Sequence, residues 1–114
     1  MQVKSEERGE VVVISVEGSL DALTAPELGQ AFSTQIAGGH FNLVADLTKV
    51  DYSSSAGLRV LLTALKETRQ NGGDLRLAAV QANVNKVLTL AGVSGAIEQY
   101  PDVEAAISRF NDAP

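Results

Sequence analysis

The sequence of 114 residues contains no cysteine and only one histidine. Without cysteine the chain can form neither a disulfide framework nor a thiolate metal site or nucleophile, which is compatible with a reducing cytosol. The first ten residues are polar and acidic, and no apolar run is long enough to span a bilayer. We therefore expect a soluble cytoplasmic protein that makes no membrane contact.

Positive charge is also scarce, because nine lysines and arginines stand against fourteen acidic residues, giving a formal net charge of -5. This balance argues against nonspecific binding to phosphate backbones or anionic lipid, so direct nucleic-acid binding is not expected. Hydrophobic residues make up 45% of the chain, enough for one domain with a single core. A protein partner or a small ligand is favoured.

Short runs rich in β-branched residues predict the strands. Residues 11–16 read as a strand buried on both faces, and the polar alternation before them suggests an edge strand at 3–8. Residues 41–47 and 75–80 are two further strands, with Asp46 near the end of the first, while 97–100 is too short to assign firmly.

Apolar residues at helical spacing predict four helices. Thr24 is placed as the N-cap of the first, with Pro26 in the first turn and Glu27 completing a capping box, and Asp102 can cap the last. Paired glycines, at 38–39 and 72–73, end the first two helices. The four stripes are Leu28, Ala31, Phe32 and Ile36; Leu58, Leu61, Leu62 and Leu65; Val84, Val87, Leu88 and Ala91; and Val103, Ala106, Ile107 and Phe110.

This order of elements predicts an α/β fold, with a mixed sheet of four to five strands packed against about four helices. The connections are short, so a functional site is expected in a strand-to-helix loop at the carboxyl end of the sheet. The glycines match neither the spacing of a phosphate loop nor that of a dinucleotide fingerprint and are interpreted as punctuation of helices and strands. No cofactor is expected.

Two catalytic or metal-binding interpretations receive little support. A serine hydrolase would pair Ser55 with His40, but the two are far apart in sequence and only half of a nucleophile elbow is present. The loop acids Asp21, Asp46 and Asp51 could ligate a hard cation, yet capping and turn roles explain isolated acids more simply. We therefore expect neither catalysis nor a metal.

Three consecutive hydroxyls, Ser53, Ser54 and Ser55, precede the leucine-striped helix. One hydroxyl is needed as an N-cap, worth about 1 kcal/mol. The same helix end would also accommodate an added phosphate, because free N–H groups and the positive end of the dipole lie there. Arg59, four residues after Ser55, either reaches such a phosphate or is simply a solvated helix residue, and both interpretations remain open.

Two segments carry a family resemblance, Gly-Ser-Leu-Asp at 18–21 before a Thr-capped helix and Asp-Leu-Thr-Lys-Val-Asp-Tyr-Ser-Ser-Ser-Ala-Gly-Leu at 46–58. Together with the order of elements, they resemble the STAS domain of bacterial anti-sigma factor antagonists. The similarity runs from about residue 3 to residue 110. It implies one STAS domain over residues 1–114 with its core at about 3–110.

The resemblance also implies a partner switch. In such proteins the unphosphorylated form captures an anti-sigma factor that is a serine/threonine kinase, which frees the sigma factor for transcription. The kinase then phosphorylates the antagonist and ejects it, and a PP2C-type phosphatase resets it. The family's phosphoacceptor falls on Ser55, its loop aspartate on Asp21 and its capping threonine on Thr24. Ser54 stands where many members have aspartate and is the second candidate acceptor.

The expected partner surface comprises the loop before the first helix and the start of the second. Phosphorylation would add about -1.5 to -2 charges to it. The alternative is an unswitched STAS scaffold or accessory subunit of a signalling or transport assembly, with serine serving only as a cap. A monomer or weak dimer is expected in either case. The proposed contact residues are Leu20, Asp21, Leu23, Thr24, Ser54, Ser55, Leu58 and Arg59.

Overall fold

A computed structural model describes residues 1–111 of the chain. These residues form five strands and four helices, which confirms the predicted α/β class. In chain order they are β1 (Gln2–Arg8), β2 (Val11–Glu17), α1 (Ala25–Ala37), β3 (Asn42–Lys49), α2 (Ser55–Gln70), β4 (Asp74–Ala78), α3 (Ala82–Leu90), β5 (Gln99–Tyr100) and α4 (Val103–Asn111).

The strands form one mixed sheet in the order β1-β2-β3-β4-β5. Strand β1 lies at one edge and runs antiparallel to β2, as predicted, while the other neighbouring strands run parallel. Each parallel strand is added on the same side of its predecessor. Right-handed crossovers therefore place all three connecting helices on one face of the sheet.

The two faces of the sheet bury separate apolar clusters. Side chains of β2 alternate between them, since Val12 and Ile14 join the cluster under α1, α2 and α3, whereas Val11 and Val13 join the one under α4. This division explains why the strand lacks a polar face, as the continuous β-branched run predicted. The terminal helix covers the second face through Ala106, Ile107 and Phe110.

Helix α4 begins where predicted, because the Asp102 carboxylate accepts a hydrogen bond from the Ala105 N–H at 2.8 Å. Polar contacts also join this helix to the sheet. The Arg8 guanidinium donates to both carboxylate oxygens of Glu104 at 2.8 Å, and Arg76 lies over the Phe110 ring at 3.8 Å from its centre. The helix is thus held at both ends.

Two strands end two residues away from the predicted position, whereas the other differences in β1 to β4 are of one residue. Strand β3 continues through Thr48 and Lys49. Strand β4 ends at Ala78, because Ala79 adopts a left-handed φ of 57° that turns the chain out of the ladder. None of the helices among the described residues is both long and apolar enough to cross a bilayer.

Candidate functional site

The loops that follow β2 and β3 lie side by side at the carboxyl end of the parallel strands. Their backbones pair directly, because the Leu20 N–H donates to the Tyr52 carbonyl at 2.9 Å and the Ser54 N–H donates to the Leu20 carbonyl at 2.7 Å. The Gly18 N–H makes a third bond to the Lys49 carbonyl at 3.0 Å. The loops before α1 and α2 therefore form one continuous surface, at the position predicted for a functional site.

In the first loop, Asp21 has the capping role that the sequence assigned to Thr24. Its carboxylate accepts hydrogen bonds from the Leu23 N–H at 2.9 Å and the Thr24 N–H at 3.0 Å. The Ala25 N–H also donates to the Asp21 carbonyl at 2.8 Å, so a helical turn already starts here. The N–H groups of Thr24 and then Leu23 lower the pKa of the Asp21 carboxyl group, because they favour its charged form.

The predicted capping box at Thr24 and Glu27 is therefore wrong. Thr24 occupies the N-cap position of α1, but it has helical dihedral angles and its side chain caps nothing. Its hydroxyl instead donates to the Ser19 carbonyl at 2.7 Å and accepts from the Asp21 N–H at 2.9 Å. The turn that precedes α1 consumes this hydroxyl, which fixes the loop around Asp21.

The structure gives the three serines different environments. Ser53 is 4% exposed and its hydroxyl donates to the Ser54 carbonyl at 3.1 Å. Ser54 is the N-cap of α2, because its hydroxyl accepts from the Ala56 N–H at 3.2 Å. Ser55 is the first residue of the helix, is exposed, and its hydroxyl has no hydrogen-bond partner within residues 1–111. Of the three serines, only Ser55 combines exposure with a hydroxyl that makes no hydrogen bond within residues 1–111.

Gly57 allows α2 to approach the first loop closely. A β-carbon at this position would come within 2.6 Å of the Ser53 hydroxyl oxygen and 2.8 Å of the Leu20 β-carbon. Interpreting Gly57 as punctuation was therefore wrong, because it lies inside the first turns of α2 and is buried. The sequence signal was a glycine directly before Leu58, the first leucine of the helical stripe, because a turn or stop is not needed where a helix begins.

The apolar residues proposed as partner contacts divide into buried and exposed ones. Leu20 is 0% exposed and Leu58 is 8% exposed, so both side chains belong to the core. The prediction that these two side chains contact a partner is therefore wrong. Leu23 projects from the first loop and is 91% exposed. Tyr52, which the sequence did not single out, is 52% exposed in the second loop. Exposed side chains of this size are candidate contact residues.

Further polar contacts, which sequence reasoning missed, fix the second loop. The Ser19 hydroxyl donates to the Asp51 carboxylate at 3.2 Å, and the side-chain amide of Asn83 donates to the Asp51 carbonyl. The Gln81 amide reaches back to the Thr48 carbonyl at 2.9 Å. Since these bonds come from the first loop and from the start of α3, the serine-bearing loop is held from two sides.

The hydrolase alternative fails on geometry. His40 precedes β3 and Ser55 follows the loop after it, so the eight residues of the strand, roughly 25 Å long, separate them. His40 lies instead 3.4 Å from the Glu7 carboxylate. A general base must lie within hydrogen-bond reach of its serine.

Within residues 1–111 no group of three or more histidine, aspartate or glutamate side chains could hold a metal ion.

Comparison with known proteins places this surface in a family context. The family model described as STAS domain matches residues 2–106. BtrV of Bordetella bronchiseptica is 31% identical over 103 residues, which cover 90% of this chain and 89% of that protein. The anti-sigma-B factor antagonist of Listeria monocytogenes is 34% identical over 85 residues, which cover 75% of each protein.

Solved structures agree with these sequence relatives. An anti-sigma factor antagonist from Mycobacterium paratuberculosis superposes with a TM-score of 0.88 at 28% identity, covering 97% of this chain and 94% of that one. The unphosphorylated form of the anti-sigma factor antagonist SpoIIAA superposes with a TM-score of 0.84 at 22% identity, covering 99% of both chains. SpoIIAA has also been solved in a phosphorylated form. At 22% identity, the similarity to SpoIIAA is a similarity of fold.

Proposed function

This chain belongs to the STAS domain family, and from that membership we propose that it is an anti-sigma factor antagonist whose partner binding is switched by phosphorylation of Ser55. Its unphosphorylated form would bind an anti-sigma factor that is a serine/threonine kinase and so release the sigma factor. A PP2C-type phosphatase would restore this form. The names of the relatives from Listeria and Mycobacterium support the regulatory role.

The observation that carries the proposal is the free hydroxyl of Ser55. Ser53 is buried, and Ser54 is half-buried with its hydroxyl engaged as the cap of α2, so neither hydroxyl is as accessible as that of Ser55. Ser55 is exposed at the first position of the helix, where added negative charge is favourable. During transfer the bond from Ser55 Oγ to the γ-phosphorus of ATP forms, the bond to the ADP oxygen breaks and the hydroxyl proton is released.

The surroundings of Ser55 explain how a phosphate would end binding. Leu23 and Tyr52 are exposed apolar side chains on the two loops that meet beside the start of α2. A partner that packs dry against such side chains would have to bury the phosphate as well. Leaving a charge unpaired in an interface costs about 2 to 5 kcal/mol or more, enough to convert a tight complex into a weak one.

A binding experiment with three variants tests the proposal. Ser55→Ala should bind the anti-sigma kinase at least as tightly as the unmodified chain and resist release by ATP, whereas Ser55→Asp should bind weakly. Ser54→Asp is the matched control, because it adds the same charge one residue away at a capping position that aspartate can also fill. Equal affinities of Ser55→Ala and Ser55→Asp would overturn the switch.

Peptide mass spectrometry then locates the phosphate. After incubation with ATP and the anti-sigma kinases of the source organism, one phosphate is expected on Ser55, and Ser55→Ala should remain unmodified. Fragment ions must separate the three adjacent serines. If an active kinase leaves Ser55 unmodified, the switch is refuted and an unswitched scaffold with a fixed partner takes its place.

A further inference from the structure

Arg59 differs from every other arginine of the chain in having no partner for its side chain within residues 1–111. The sequence contains five arginines, and the other four are engaged. Arg8 binds Glu104 at 2.8 Å, Arg69 binds Asp74 at 2.9 Å, Arg76 binds Asp74 at 3.2 Å, and Arg109 interacts with the Tyr100 side chain. This guanidinium is therefore exposed and available.

The neighbours of Arg59 on α2 carry no negative charge. The positions three and four residues away, where helical side chains meet, are Ser55, Ala56, Leu62 and Thr63. The Thr63 hydroxyl donates to the Arg59 carbonyl and leaves the guanidinium untouched. Arg59 therefore has no counter-charge at these helix positions, unless Ser55 acquires one.

We propose that Arg59 binds the phosphate on Ser55 and holds it against the first turn of α2, an inference that rests on the proposed function. Helical side chains lean towards the N-terminus, so a long side chain at position 59 extends over the turn that contains Ser55. Arginine is suited to this role, because its planar guanidinium binds two phosphate oxygens at once. The unmodified chain already presents both the hydroxyl and its future partner.

This clamp gives the modified form a defined structure. The phosphate would lie along α2, close to the free N–H groups of the helix end and the guanidinium, rather than rotate in solvent. Its second ionisation would be favoured, because both interactions stabilise the dianion. The carboxylates of Asp21 and Asp51 on the two loops act in the opposite direction. Glu67 lines the groove between α1 and α2 together with Arg59, but it lies more than three turns of α2 away from Ser55.

Phosphorus NMR tests the clamp directly. The full chain is prepared with phosphoserine incorporated at position 55 during translation, and the phosphate is titrated between pH 4 and 8. Arg59→Gln should raise the phosphate pKa by about 0.2 or more, the size expected for an exposed ion pair. The phosphate pKa of Arg59→Lys should lie between those of the parent sequence and Arg59→Gln, because lysine keeps the charge but lacks the planar guanidinium.

Lys66→Gln is the matched control, since it removes one positive charge from the same helix about three turns away from Ser55. An unchanged phosphate pKa in this variant, with the rise seen in Arg59→Gln, would support the clamp. A rise below 0.2 in Arg59→Gln, or an equal rise in Lys66→Gln, would overturn it. Because translation supplies the phosphate, this result does not depend on whether a kinase recognises Ser55.

Discussion

Gly57 in α2 lies directly against Leu20 in the loop that follows β2. A β-carbon on Gly57 would come within 2.8 Å of the Leu20 β-carbon, although the two residues are far apart in sequence. The Leu20 backbone simultaneously bonds to Tyr52 and Ser54. This contact therefore brings the two loops and the serine-bearing helix end together as one surface.

Replacing Gly57 with alanine should destabilise the protein, although the same change stabilises most helices. The added methyl group would overlap both the Ser53 hydroxyl and Leu20. We expect a net loss of about 1 to 3 kcal/mol in the free energy of unfolding by urea. Gly29→Ala in α1 is the control. Its methyl group would meet Val60 at an ordinary 3.7 Å, so a gain of about 0.5 to 1 kcal/mol is expected. Equal effects of the two changes would contradict the close contact.

Removing the Ser54 hydroxyl should cost stability, whereas removing the Ser55 hydroxyl should not. Ser54→Ala loses the cap of α2, for which we expect a cost of about 1 kcal/mol. Ser54→Asp should retain the cap. The free energy of unfolding of Ser55→Ala should remain within about 0.5 kcal/mol of that of the unmodified chain, because this hydroxyl has no partner among the described residues. A larger loss for Ser55→Ala than for Ser54→Ala would reverse the two assignments.

Leu20 and Leu23 should affect different properties when truncated to alanine. Leu20→Ala removes a fully buried side chain and should cost about 2 to 5 kcal/mol in unfolding free energy. Leu23→Ala should leave stability within about 0.5 kcal/mol, because the side chain is almost wholly exposed. It should instead weaken capture of the anti-sigma kinase by roughly tenfold or more, measured by calorimetry. Unchanged affinity would remove Leu23 from the partner surface.

The Asp21 carboxylate should make the stability of the first loop depend on pH in the acid range. Hydrogen bonds from Thr24 and Leu23 lower its pKa in the folded state, so its contribution is complete above about pH 4 and is lost as the pH falls through the folded pKa. Asp21→Asn keeps an acceptor oxygen but not the charge. The stability gap between the unmodified chain and this variant should therefore shrink below pH 4 in thermal unfolding experiments.

Asp21→Ala is the companion variant, because it removes the acceptor as well as the charge. It should be less stable than Asp21→Asn at every pH, since the N–H groups of Leu23 and Thr24 lose their partner. A gap between the unmodified chain and Asp21→Asn that stays constant from pH 7 to pH 2.5 would show that the charge contributes nothing.

Local patterns sufficed to predict most of the fold. The alternation of β-branched runs with apolar stripes identified four strands and all four helices, because strand and helix periodicity depends on residues only a few positions apart. The same logic failed at Thr24. A threonine followed three residues later by glutamate has the form of a capping box, but Asp21 starts the turn earlier and uses the Thr24 hydroxyl within the loop.

The sequence by itself determined the α/β layering, the order of the elements and the loop in which the serines lie. Only the tertiary structure decided which serine is buried, which one caps α2 and which one is free. It also decided that Leu20 lies in the core while Leu23 projects into solvent. The physical reason is that the environment of a hydroxyl or a leucine depends on segments that are distant in sequence and meet only on folding. Here these segments are the two loops, which pair through Leu20 and Ser53.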